Sequence, residues 1–338
     1  GISYINYAAA YGSLECFKYL VLNDANIDSN TLKFAVFGGN TEIIRYVDQY
    51  YNENQISINL YFTEKKRSFG KNNLNPDIYK NPILPAIENH QNKLFDWILQ
   101  EKYINNNITG MELSYLIKYS ARFGNVYSVI CCIDNGVDLN SMSSIDLIEA
   151  INCSSSRGFL RFVYLILSII KNIKIINQNN LTQSIASGNV AIFKLILSAC
   201  STTIEEFDEQ LLTAIKTKQT SIIKYIVEKL FDDQIKLSKS GLINCLSAAI
   251  VENPKMFCYL FEKLGFERMM NQFHLNGDDF ITILCDSLDK RINFENIKFV
   301  TDLILNEFKG TFFTTPFIKA TSNKLFDICH FFIQKKIF

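Results

Sequence analysis

A single phrase recurs along this chain, and it restricts what the chain can fold into. Tyr7-Ala8-Ala9-Ala10-Tyr11-Gly12-Ser13 returns as Phe34-Ala35-Val36-Phe37-Gly38-Gly39-Asn40 and again as Tyr119-Ser120-Ala121-Arg122-Phe123-Gly124-Asn125. Each copy is followed by apolar residues three or four apart: Leu14, Phe17 and Leu20 in the first, Ile43, Ile44 and Val47 in the second, Val129 and Cys132 in the third. That spacing marks one face of a helix. Self-similarity with a period of a few tens of residues is the signature of stacked repeat units, each too small to bury its apolar face alone.

Each letter of the phrase has a physical role. Small side chains such as Ala8 and Ala9 let one helix lie close to its neighbour. Gly12, Gly39, Gly124 and Gly188 end that helix, because a residue without Cβ enters the left-handed region without a clash. Ser13, Asn40, Asn125 and Asn189 come next and are predicted to N-cap a second helix by accepting from its free N–H groups. Asn253-Pro254 repeats the pattern with proline at the first helical position, where no N–H is needed. The unit is therefore read as helix, tight turn, helix.

Equivalent turn positions fall at Gly12, Gly39, His90, Gly124, Gly158, Gly188, Lys218 and Glu252, about 27, 51, 34, 34, 30, 30 and 34 residues apart. Most of these steps approach the ~33-residue ankyrin period. The long step contains the Asn-rich stretch Tyr61–Asn81, with Lys65-Lys66-Arg67 and Lys71, read as a loop insertion inside one unit. Units near Ala150–Leu167 and Phe280–Leu305 are expected to need extra residues between their helices.

These residues resemble the ankyrin-repeat family. Ser3-Tyr4-Ile5-Asn6-Tyr7-Ala8-Ala9 is similar to the ankyrin Thr-Pro-Leu-His-x-Ala-Ala opening, and Thr315-Pro316-Phe317 is closer still. Asn23-Asp24-Ala25-Asn26-Ile27-Asp28 and Asn135-Gly136-Val137-Asp138-Leu139-Asn140 resemble the family's Gly-Ala-Asp-Val-Asn turn. The first hundred residues are most similar to the Asn/Ile/Lys-rich ankyrin proteins of AT-rich protist genomes. The resemblance implies an all-α helix-turn-helix solenoid over residues 1–338, of about nine to eleven units, with β-hairpin turns reduced to loops. It is weakest over 141–310, where other helical solenoids remain open.

The chain has 34 acidic and 34 basic residues, a balance that disfavours general affinity for nucleic acid or anionic membranes. Phe159–Ile170, the longest apolar run, includes Arg161 and is too short to span a bilayer. Gly1 opens directly into a unit, so an N-terminal part is expected to be missing. Tyr4 and Ile5, and at the other end Phe331-Phe332-Ile333 and Ile337-Phe338, stand where a capping unit would cover the array.

Nine cysteines contain no Cys-x-x-Cys and make no metal-like spacing with three histidines. They are read as free, buried thiols of a reducing compartment. Cys131-Cys132 and Cys329-His330 are the reactive alternatives, and neighbours about 100° apart on a helix meet poorly. Asp24–Asp28 starts like a calcium loop but has Ser29 where glycine is needed. No phosphate loop, nucleophile elbow or zinc-protease motif occurs.

The reading is an intracellular, cytoplasmic protein–protein scaffold with no cofactor, metal or catalytic residue. By resemblance, the two residues before each turn face the concave side. Tyr11, Phe37, Glu88, Asn89, Arg122, Phe123, Lys216 and Thr217 are the candidate partner-binding residues, with aromatic and Arg side chains as hot spots. Two alternatives stand beside it: the targeting arm of a larger kinase or ubiquitin ligase, and a solenoid binding nucleic acid through Lys65–Lys71.

Overall fold

A computed structural model describes residues 2–56, 81–104, 110–170, 176–200, 206–232, 235–252, 254–288, 294–307 and 314–335. The insertion read at 61–80 lies outside them, as does Asn253. Among the described residues the fold is all-α, with no strand and one isolated bridge between Glu206 and Lys236. The chain divides into two compact units, residues 1–154 with 159–172, and 155–158 with 173–338.

In the first unit, inner helices α1 (Tyr4–Ala10), α3 (Thr31–Gly38), α5 (Ile83–Glu88) and α7 (Gly110–Phe123) pack on one another in that order. Each is followed by an outer helix: α2 (Leu14–Leu22), α4 (Thr41–Glu53), α6 (Asn92–Ile98, continued as a π-type turn to Ile104) and α8 (Val126–Asp134). Helices α9 (Ser144–Ser156) and α10 (Leu160–Ile169) follow. In the second unit, the inner series is α11 (Gln178–Ser184), α13 (Asp208–Lys216), α15 (Lys239–Glu252), α18 (Gly277–Ser287) and α20 (Thr314–Ser322), again packed successively. The outer series is α12 (Val190–Ala199), α14 (Thr220–Phe231), α16 (Pro254–Leu264), α19 (Phe294–Glu307) and α21 (Phe326–Gln334), with the short α17 (Phe266–Asn271) after α16.

One turn joins inner to outer helix at eight described places. Its left-handed residue is Gly12, Gly39, His90, Gly124, Gly158, Gly188, Lys218 or Lys324, all at positive φ. The following residue opens the outer helix and usually donates its N–H five residues back, as Ser13 does to Ala8 (2.9 Å), Gln91 to Ala86 (2.9 Å) and Gln219 to Ala214 (2.9 Å). This is the Schellman closure of a helix end. The acceptor residue is always small and buried: Ala8, Ala86, Ser120, Ser154, Ala214 and Ala320 are examples. Where it is serine, the hydroxyl is satisfied by its own helix, as in Ser120 to Leu116 (2.7 Å). Four residues into the outer helix stands a buried side chain, among them Phe17, Ile44, Phe95, Val163, Phe193 and Ile223.

The capping expectation holds at three of its four testable places. Asn40 accepts from Glu42 N (3.0 Å) and Ile43 N (3.3 Å), Asn125 from Ser128 N (3.1 Å), and Asn189 from Ala191 N (2.9 Å). Ser13 makes no side-chain cap bond, since its hydroxyl is too short to reach from this backbone angle. Ala150–Leu167 needs no extra residues: three residues separate α9 from α10, with Gly158 at φ +86°. Asn81, read as part of the inserted loop, is instead buried; it caps Ile83 N (3.0 Å) and donates to Tyr103.

Cap side chains also tie one pair to the pair before it. Asn40 Nδ2 donates to the Gly12 carbonyl (3.0 Å), Asn125 Nδ2 to Ile87 (3.0 Å), and Gln219 Nε2 to Ala186 (3.2 Å). Aromatic edges add a second tie. Phe17 meets Tyr46 at 5.9 Å and 78°, Phe193 meets Tyr225 at 5.9 Å and 79°, and Phe257 meets Phe299 at 6.1 Å and 80°. All three phenylalanines are buried and hold one position of the outer helix, as the sequence pattern predicts.

Candidate functional site

Six of the eight candidate residues lie at the C-terminal ends of the four inner helices of the first unit. Tyr11 follows α1 and is 82% exposed; Phe37 near the end of α3 is exposed. Glu88 ends α5 and Asn89 follows it, both exposed. Arg122 and Phe123 end α7 and are half-buried. Because α1, α3, α5 and α7 pack in sequence, these residues form one row across consecutive helix ends. In the second unit Lys216 ends α13 and Thr217 follows it, both exposed.

Local bonds fix the row. Asn89 Nδ2 donates to the Pro85 carbonyl (3.1 Å), and Thr217 Oγ1 to Thr213 (2.8 Å). His90 Nε2 donates to the Phe123 carbonyl (3.1 Å), joining two consecutive turns. The Phe123 ring lies 5.1 Å from Tyr119, so it serves packing as well as exposure. Lys33 of α3 is half-buried; burial lowers its pKa, and the Glu88 carboxylate opposes that shift. Sequence reasoning placed His90 at the turn by spacing but gave it no contact role. Lys33 lies between Leu32 and Phe34 at the start of an apolar run, where a single basic residue reads as an ordinary solvent-side position of the helix.

The tyrosines of the first pair form a second surface, which shares Tyr11 with the row. Tyr4, Tyr7, Tyr11 and Tyr19, with Cys16 and Leu20, line a shallow apolar depression on one side of α1 and α2. Ile5, expected to be part of that open end, is buried. At the other end Phe331 and Phe332 are buried while Ile333 is exposed; Ile337 and Phe338 lie outside the described residues.

The cysteines differ from the expectation of uniform burial. All nine are free, and Cys132, Cys245, Cys285 and Cys329 are buried, but Cys16 and Cys258 are exposed because they sit on the solvent side of outer helices. Burial pushes Cys131 up to about 11, with the Asp96 carboxylate adding to the shift, and pushes Cys132 up to about 12. Burial also raises Cys329. A thiol held protonated is a poor nucleophile. Among the described residues no group of three His, Cys, Asp or Glu side chains could hold a metal ion, and no helix is long and apolar enough to cross a membrane. Asn180 is buried and closes the capping box of α11 with Asn177.

No family model matches the chain, and no curated protein matches it.

Proposed function

We propose that the chain is a divergent ankyrin-type array of helix pairs that binds a protein partner along the row of inner-helix ends. One observation carries this reading. The same turn, left-handed residue, capping position and small buried acceptor recur, while the two residues just before each turn vary freely and stay largely exposed. A constant frame with variable side chains at one repeated place is how a solenoid separates folding from recognition. Phe37, Tyr11 and Arg122 are the anchors, since aromatic and Arg side chains dominate hot spots. Glu88 and Asn89 supply the polar rim in the first unit, and Lys216 and Thr217 are the polar candidates at the equivalent helix end of the second. Nine free thiols support a reducing, intracellular setting.

The test is capture of partners by the tagged chain, identified by mass spectrometry, followed by affinity measurement with single variants. Phe37→Ala should weaken binding by ~1–3 kcal/mol with an unchanged unfolding midpoint. Affinity untouched by Phe37→Ala, Glu88→Ala and Arg122→Ala together would reject the row as the binding site.

A further inference from the structure

We propose that Asn276-Gly277 is a site of spontaneous covalent modification, where the side-chain amide is lost through a cyclic imide and α18 loses its N-terminal cap as the protein ages. The proposal does not depend on the partner-binding row.

The chain carries two Asn-Gly bonds, Asn135-Gly136 and Asn276-Gly277. In such a bond the glycine nitrogen can attack the asparagine Cγ, because glycine presents no Cβ to obstruct the approach. The two bonds differ in backbone angle, in the glycine N–H and in the side-chain amide.

Closing the five-membered ring brings Cβ and the next nitrogen to the same side of the Cα–C bond, at ψ of roughly −120°. Asn276 has ψ −177°, about 60° from that angle. Asn135 has ψ 22°, about 140° from it, which puts Cβ and the Gly136 nitrogen on opposite sides. The Gly136 N–H donates to the Ile133 carbonyl (2.9 Å). Gly277 is the first residue of α18, where the N–H has no acceptor within its own helix. The Asn135 amide is held at both ends: Nδ2 donates to the Cys131 carbonyl (2.7 Å), and Oδ1 accepts from Gln100 Nε2 (3.3 Å). Asn276 is exposed, and its Oδ1 accepts from Asp279 N (3.0 Å). Negative charge develops on that oxygen as the ring closes. The N–H that recognises the cap, at the positive end of the helix, therefore also stabilises the intermediate.

The chemistry needs only water. The Gly277 nitrogen gives its proton to solvent and bonds to Cγ; the Cγ–Nδ2 bond breaks and the amide leaves as ammonia, taking up a proton. Water then opens the imide. Addition at Cγ restores the main chain and leaves aspartate. Addition at the main-chain carbonyl leaves isoaspartate, with the chain rerouted through Cγ.

The two products act differently on the fold. Asn276 N donates to Asp279 Oδ2 (2.7 Å), completing a reciprocal box, and Lys239 Nζ of α15 lies 2.8 Å from the same oxygen. Helix α18 packs against α15 and α20. Aspartate keeps an acceptor at the cap. Isoaspartate adds a methylene to the main chain, so the two bonds of the box no longer close together. The inner series is thus loosened at α18 by isoaspartate alone.

The test is incubation of the full chain at body temperature and mildly alkaline pH. Conversion at both bonds is followed by peptide mass spectrometry, with fragmentation that separates aspartate from isoaspartate. Asn276 should convert at least about tenfold faster than Asn135 in folded protein. The two rates should converge in strong denaturant, where neither backbone is held. Gly277→Ala should slow conversion at Asn276 about tenfold. The isoaspartate chain, separated by ion exchange, should unfold at lower urea concentration than the unmodified chain, whereas Asn276→Asp should unfold with the unmodified chain. Equal rates in folded protein, faster loss at Asn135, or an isoaspartate chain as stable as the unmodified one would overturn the proposal. So would an Asn276→Asp chain as unstable as the isoaspartate form.

Discussion

At Gly38 the backbone of α3 lies against the last turn of α1. A Cβ placed there would stand 2.1 Å from the Ala9 carbonyl oxygen and 2.9 Å from the Gly12 nitrogen. Both neighbours are backbone and cannot rotate away. Gly38→Ala should therefore cost at least about 1–3 kcal/mol, the range for overpacking, measured by urea unfolding. Lys218 presents the opposite case. It holds φ +60°, where an L-residue is strained by roughly 1–2 kcal/mol. Lys218→Gly relieves that strain but frees the unfolded chain, so a net gain of about 0.5–1 kcal/mol is expected. His90→Gly should gain less, because it also removes the bond to Phe123. Equal gains at both positions would show that this bond contributes nothing. The glycines at 12, 39, 124 and 188 made their turns legible in the sequence because no other residue enters that region freely. At 90 and 218 the spacing alone located the turn. Lys324 was not anticipated, because lysine carries no conformational signal and the last unit has no Asn or Ser after it.

The second helix of each pair starts with a cap whose chemistry varies more than its geometry. Asn40 accepts two N–H bonds and also donates to the preceding turn. Asn40→Ala should cost about 1–2 kcal/mol, whereas Ser13→Ala should be nearly neutral, because Ser13 makes no cap bond. A matching loss at both sites in thermal unfolding would contradict the capping geometry. Packing between successive outer helices depends on the aromatic edge contacts. Phe17→Ala, Phe193→Ala and Phe257→Ala should each cost ~3–5 kcal/mol. A double-mutant cycle on Phe17 and Tyr46 should give about 0.5–1.5 kcal/mol of coupling, and the cycle on Phe193 and Tyr225 should match it. Unequal couplings would mean that α2–α4 and α12–α14 do not pack alike. The buried phenylalanines were legible from 3.6-residue periodicity. Their partners Tyr46 and Tyr225 were not, since they lie off the apolar stripe and are defined only by the neighbouring pair. The bonds of Tyr51 to Leu32 and of Tyr103 to Asn81 were hidden for the same reason. Each joins residues about twenty apart, and neither end carries a motif.

Over the whole chain the cysteines report how it opens. Cys16 and Cys258 are exposed in the native fold, while Cys132 and Cys245 are buried and held protonated by that burial. Alkylation near pH 8, read by peptide mass, should label Cys16 and Cys258 in native protein. Cys132 and Cys245 should be labelled only at denaturant concentrations that unfold their units. Labelling of Cys245 as fast as Cys16 would mean that α15 opens locally. The sequence carried the helical class and the turn spacing. It could not carry exposure, because a cysteine on the solvent side of an outer helix and one beneath an inner helix read alike. The cap-to-turn bonds have one more consequence. Asn40, Asn125 and Gln219 each reach a group one pair earlier, so every bond spans one whole pair. Adding or deleting a complete pair leaves each remaining donor with an acceptor, while a change of a few residues orphans donors on both sides. A gene encoding this chain is thus free to grow or shrink by in-frame duplication of about a hundred bases, wherever the breakpoints fall, provided that both fall at the same place in their pairs.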